Sequence, residues 1–96
     1  MGTALKLIWH KKALNSINKL SVWYIAHNYG NQYVVTMQKN IIQTIDSLLH
    51  SFPSSGLLHK RKANKEYRSQ LAHPKCRIYY WFDDKELHII DVKYTL

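Results

Sequence analysis

The sequence predicts an α+β domain in the order β-α-α-β-β-β, an antiparallel sheet packed on a two-helix hairpin. Three observations lead there. Apolar residues recur at helical spacing across residues 10–52. Aromatic and β-branched residues then gather in short runs between turn signals over residues 66–94. The 96 residues, 11.4 kDa in all, suffice for one modest core and so for one domain spanning 1–96.

Residues 4–9, Ala-Leu-Lys-Leu-Ile-Trp, read as a short opening strand. From His10 the period changes, and Ala13, Leu14, Ile17, Leu20, Ser21 and Tyr24 share one helical face. Asn28-Tyr29-Gly30-Asn31 is a stop, with Gly30 suited to a left-handed residue after a helix and Asn31 to capping the next one. Val34, Met37, Gln38, Ile41, Ile45, Leu48, Leu49 and Phe52 form a second stripe, apolar except for Gln38, and Pro53-Ser54-Ser55-Gly56 ends it. Glu66 to Ala72 is a strand followed by a turn at His73-Pro74. Cys76 to Phe82, rich in Ile, Tyr, Trp and Phe, is another. After an Asp83-Asp84-Lys85 turn, Glu86 to Tyr94 is the last. The helix hairpin covers one face of this sheet, and no further element is left to cover the other.

Composition limits the function classes. Apolar residues are 46% and charged residues 21%, a globular balance. Fourteen Lys and Arg against six Asp and Glu give a net charge of +8, which favours an anionic partner such as nucleic acid or an acidic protein. The first acid is Asp46, and half of the basic residues lie between Lys60 and Arg77. A lone cysteine, Cys76, excludes an internal disulfide and reads as a buried small hydrophobe. Trp9 and Trp23 are expected in the core. The six histidines show no metal-ligand spacing, so no metal and no cofactor is expected. With no secretory apolar region and no apolar run of 18 residues, the expected location is cytoplasmic, without a membrane partner.

The motifs in order carry a resemblance. Leu7-Ile8-Trp9 opens the chain, and Phe52-Pro53-Ser54-Ser55-Gly56 closes the second helix. Tyr67-Arg68 starts a strand, Arg77-Ile78-Tyr79-Tyr80 leads to an acidic turn, and Leu87-His88-Ile89-Ile90-Asp91-Val92 follows. The chain resembles, over its whole length, the RelE/ParE superfamily of bacterial type II toxins, and looks closer to its ParE and plasmid-stabilisation branch. The resemblance implies a growth-inhibiting toxin neutralised by a cognate antitoxin, expected to be acidic, with a toxin–antitoxin hetero-oligomer as the assembled form. It also implies one of two targets: ribosome-bound mRNA, cleaved without a metal by RelE-like members, or DNA gyrase, poisoned without catalysis by ParE-like ones.

For cleavage, Arg68 and Arg77 would stabilise the phosphorane-like charge through bidentate guanidinium contacts. RelE-like nucleases place an Arg, Tyr or His near the chain end. Here that region reads Tyr94-Thr95-Leu96, which leaves Tyr94 as the proton donor. Lys60, Arg61, Lys62 and Lys65 suit a phosphate backbone or an acidic antitoxin, although a basic run over 60–68 also reads as a solvated loop. Strand alternation puts Arg77, Tyr79 and Trp81 on one face and Ile78, Tyr80 and Phe82 on the other. An unpaired Arg is costly to bury, so the Arg77 face is assigned to solvent, where its rings are placed to stack bases. The competing class is a non-toxic basic nucleic-acid-binding or adaptor module, or a degenerate toxin that only binds its antitoxin.

Overall fold

A computed structural model describes residues 5–50, 53–73 and 75–94, with the side chains of His50 and His73 outside that description. In chain order the elements are β1 (Lys6–Trp9), α1 (Lys11–Ala26), α2 (Asn31–His50), a 3-10 turn (Pro53–Ser55), β2 (Leu57–Lys62), β3 (Lys65–His73), β4 (Cys76–Phe82) and β5 (Glu86–Tyr94). The five strands lie in the order β1-β5-β4-β3-β2. Strands β2 to β5 form an antiparallel meander. The opening strand joins the far edge parallel to β5, pairing Lys6 with Glu86 and Trp9 with Ile89.

The α+β architecture and the one-sided helix hairpin are as expected, with one strand more. Residues 57–62 form β2, a fully exposed edge strand, where the Lys-Arg-Lys run reads as a loop. Its high charge hides it, because Lys and Arg are poor strand formers; they are also what a protected sheet edge carries.

The apolar stripes pack as their spacing dictates. Val34, Met37, Ile41, Ile45 and Leu48 of α2 are buried against Cys76, Ile78 and Tyr80 of β4 and Leu87, Ile89 and Val92 of β5, with Ala13 and Tyr24 of α1 completing the core. Each such aliphatic side chain removed from water contributes about 1.5–3 kcal/mol. Gln38, the polar interruption of the α2 stripe, donates to Ser21 Oγ at 3.2 Å, and Ser21 donates to the Ile17 carbonyl at 2.9 Å, so both polar groups are satisfied between the helices. At the end of α1, Asn28 takes the left-handed position (φ 64°) that the sequence suggests for Gly30; Gly30 is left-handed too (φ 84°), two residues later. Trp9 packs partly buried against the core. Trp23, expected inside, is 41% exposed, because its position on α1 lies beside the face occupied by Tyr24 rather than on it. Cys76 is fully buried, and burial pushes its thiol pKa up, which keeps it protonated. Phe52 and Pro74, assigned above to the α2 stripe and to a turn, lie outside the described residues.

Two turns close the frame. Gly56 leads out of the helix hairpin against β3 and β4: a Cβ there would sit 2.5 Å from Tyr80 Oη and 2.6 Å from the Ser69 carbonyl oxygen. Tyr80 Oη donates to the Pro53 carbonyl at 2.5 Å, so the same corner is tied by a hydrogen bond. At the β4–β5 turn, Asp83 Oδ1 accepts from the backbone N–H groups of Lys85 (2.9 Å) and Glu86 (2.8 Å). These bonds hold the Asp83 carboxyl below its ordinary pKa.

We expect Gly56→Ala to lower the stability of the folded chain by about 1–3 kcal/mol, read as a shift in the urea midpoint, because the added methyl meets backbone on one side and a buried phenol on the other. For Asp83, a carboxyl pKa depressed by folding contributes stability that is present above the ordinary Asp value near 4 and lost as the pH falls through the folded value. A carboxyl NMR titration of Asp83 is therefore expected to have its midpoint below about 3.9. The stability difference between wild type and Asp83→Asn should shrink across that acid range.

Candidate anion-binding face

Strand register decides which side chains stand on the uncovered face. On β4 burial alternates, with Cys76, Ile78 and Tyr80 inside and Arg77, Tyr79 and Trp81 on the other side. Pairing carries this face outward to Ser69, Tyr67 and Leu71 on β3, to Leu57, Lys60 and Lys62 on β2, and to His88 and Lys93 on β5. Lys65, in register with Lys62, belongs to the same face.

The rings and cations there form one connected array. Lys60 Nζ lies 4.8 Å from the Tyr67 ring centroid, Lys65 Nζ 4.3 Å from Trp81, and Lys93 Nζ 5.2 Å from Tyr79. Tyr67 and Trp81 are 6.2 Å apart between centroids. Ammonium groups over ring faces are held in place without being neutralised, so their charge still faces solvent. At the centre, Arg77 Nη1 donates to Ser69 Oγ at 3.1 Å, and the same oxygen is 2.7 Å from His59 Nε2. Arg77 can only donate, so the serine hydroxyl accepts from it, while the Ser69–His59 bond takes its direction from the imidazole tautomer. His59 also lies 5.7 Å from Tyr79, ring to ring. Ser69 is fully buried beneath these groups, which makes it a positioning hub and not a nucleophile.

Lys60, Lys62, Lys65, Arg77, Tyr79 and Trp81 thus share the uncovered face. Arg61 and Arg68 do not. Arg68 pairs across the sheet with Tyr80, a core-facing residue, and so points to the helix side. There it is 12% exposed and fully engaged: Nε donates to Glu66 Oε1 at 2.8 Å, Nη2 meets the same oxygen at 2.7 Å, and Nη1 donates to the Gly56 carbonyl at 2.7 Å. Arg61 is in register with Glu66 and reaches its other oxygen at 3.7 Å. The grouping of Arg68 with Arg77 is corrected on this ground: the two sit on opposite faces of the sheet. Tyr94 pairs with buried Cys76 and packs among Trp23 and Tyr24, with centroids 5.8 and 6.4 Å away. Arg68, Arg77 and Tyr94 therefore do not converge: Arg77 stands on the uncovered face, Arg68 and Tyr94 on the helix side. Thr95 and Leu96 lie outside the described residues.

Three participants escape the sequence reading. His59 and Ser69 carry no local signal, since their contact joins β2 to β3. His88, stacked on Trp81 at 3.8 Å and 12°, is legible only once β4 and β5 are in register. Along the margin of the face Asp91 is buried, accepts from Ser16 Oγ at 2.6 Å and lies 3.6 Å from Lys12 Nζ, which ties β5 to α1.

The two arginines separate by experiment. Arg68→Ala is expected to cost about 1.5–3 kcal/mol in urea unfolding, because a buried carbonyl and a half-buried carboxylate lose a charged donor. Arg77→Ala, which loses one neutral acceptor bond on a wet face, should cost less than about 1 kcal/mol. It should nonetheless elute from a heparin column at lower salt than either wild type or Arg68→Ala.

No protein-family model matches the sequence, and no curated protein matches it. Solved structures do. A chain from the chromosomal ParDE TA system of P. aeruginosa superposes with a TM-score of 0.76 at 13% identity, covering 97% of this chain and 98% of that one. The YoeB dimer from Staphylococcus aureus matches with a TM-score of 0.58 at 18% identity, covering 98% of this chain and 100% of its own. The sheet order, the one-sided helix hairpin and these full-length superpositions together identify the fold as that of the RelE/ParE superfamily.

Proposed function

We propose that this chain is the toxin of a type II toxin–antitoxin system, held inactive by an acidic antitoxin that covers its uncovered sheet face. The observation that carries the reading is the superposition on the ParDE chain over nearly the full length of both proteins. The chemistry of the face supports it. Lys60, Lys62, Lys65, Arg77 and Lys93 present positive charge there, and Tyr67, Tyr79 and Trp81 offer flat apolar area between them. An acidic amphipathic segment matches that surface in charge and in stacking area.

Of the two targets the resemblance implies, DNA gyrase is the better supported. Cleavage of ribosome-bound mRNA needs charge stabilisation and a proton donor in one place, and Arg68 and Tyr94 stand apart from Arg77. The alternative of a basic nucleic-acid-binding module without toxicity rests on the same cations. It predicts RNA or DNA binding whose affinity falls steeply with salt.

Induced expression without an antitoxin is expected to halt growth and to switch on a DNA-damage reporter. Undisturbed growth at confirmed protein levels would overturn the toxin reading. Arrest accompanied by cleaved mRNA and a silent reporter would overturn the gyrase target.

A further inference from the structure

On its β5 side the open face ends in a pair of imidazoles that the toxin reading does not use. His10 Nε2 and His88 Nδ1 face each other at 2.8 Å. His88 is pinned: its Nε2 meets Glu86 Oε1 at 3.0 Å, its ring lies flat on Trp81, and its side chain is 14% exposed. His10 approaches from the β1–α1 junction, where its backbone N–H donates to the Ile89 carbonyl at 3.0 Å.

The carboxylate fixes the chemistry of the pair. With Glu86 accepting from Nε2–H, neutral His88 carries its lone pair on Nδ1, the nitrogen aimed at His10. A carboxylate behind an imidazole, with the other ring nitrogen presented forward, is the arrangement that orients metal-ligating histidines. We propose that His10 Nε2 and His88 Nδ1 bind one borderline divalent transition-metal ion of the zinc(II) or copper(II) class, with Glu86 as the outer carboxylate and water completing the coordination sphere.

The geometry needs little change. Two metal–nitrogen bonds of about 2.0–2.1 Å at a tetrahedral angle put the nitrogens about 3.3 Å apart. The pair therefore opens by roughly half an ångström from its hydrogen-bonded distance, and His10, the ring not held by Trp81 and Glu86, makes the adjustment. Its proton passes from Nε2 to Nδ1, so both ligands bind as neutral imidazoles. Among the described residues no group of three or more His, Cys, Asp and Glu side chains is placed to hold a metal ion, so the protein supplies two ligands only. The site is accordingly open, and weaker than a closed four-ligand centre. The net charge of +8 and the Lys65 ammonium over Trp81 oppose a dication, and Glu86 offsets part of that field.

An imidazole–imidazole hydrogen bond without metal affinity would use the same atoms, and titration separates the two. Zinc chloride titrated into the full chain near neutral pH is expected to give a one-site isotherm. Its affinity should fall at least tenfold in His88→Ala and in His10→Ala, fall several-fold in Glu86→Gln, and hold in His27→Ala, a histidine on the far end of α1. Copper(II) should quench tryptophan emission, and Trp81→Phe should remove most of that quench. Because His10 stands at the start of α1, circular dichroism must show each variant folded; His88→Gln, which keeps a hydrogen-bonding side chain on β5, is the second variant if His10→Ala unfolds. No saturable heat up to millimolar zinc, or the same isotherm in wild type and the His88 variants, overturns the proposal. Neither result bears on growth arrest, so this site and the toxin reading stand or fall separately.

Discussion

Burial of one face of β4 is the constraint on which the rest of the molecule depends. Ile78 and Tyr80 are fully enclosed by the helix hairpin, and a slip of one residue would drive Arg77, Tyr79 and Trp81 into that core. The register is thus fixed by the cost of burying a guanidinium and the gain from burying Ile and Tyr. Tyr80 adds a second restraint, since its hydroxyl reaches Pro53 and, together with the Ser69 carbonyl, leaves room only for a glycine at 56. The exit of the helices and the centre of the sheet are therefore one corner, and the neighbouring strands inherit their facing from it.

The acids explain why the exposed face stays positive. Glu66 is turned to the helix side and takes up Arg61 and Arg68. Asp91 is buried against α1 with Ser16 and Lys12. Asp83 is occupied with the backbone of its own turn. Three of the six acids thus do structural duty in contacts of their own, although Asp83 also feels the charge of Lys65, one of the lysines that sit over aromatic rings.

What the sequence discloses follows from how far each signal reaches. Helices α1 and α2 were legible because their apolar spacing is local, and β4 because alternation sorts Arg77 from Ile78 within seven residues. Arg68 was not. Its facing depends on pairing with Tyr80, and reading Tyr67-Arg68 as a unit hides that the two side chains point opposite ways. Strand β2 was concealed by its own lysines. His59, Ser69, His10 and His88 meet only across strands or elements, so no spacing rule registers them. Gln38 runs the other way: it is visible as a flaw in an apolar stripe, and its reason, Ser21, lies on the other helix.

The outermost ribbon of the sheet has a consequence for solubility. Among the described residues β2 leaves one row of amide and carbonyl groups unmatched by another strand, and its first residues are the exposed leucines 57 and 58. Such a rim is a template for fibril growth. Here it carries Lys60, Arg61 and Lys62 in succession, so two identical rims brought together would set like charges side by side. Self-templating is thereby discouraged by the same cations that leave the rim open to an unlike, negatively charged strand.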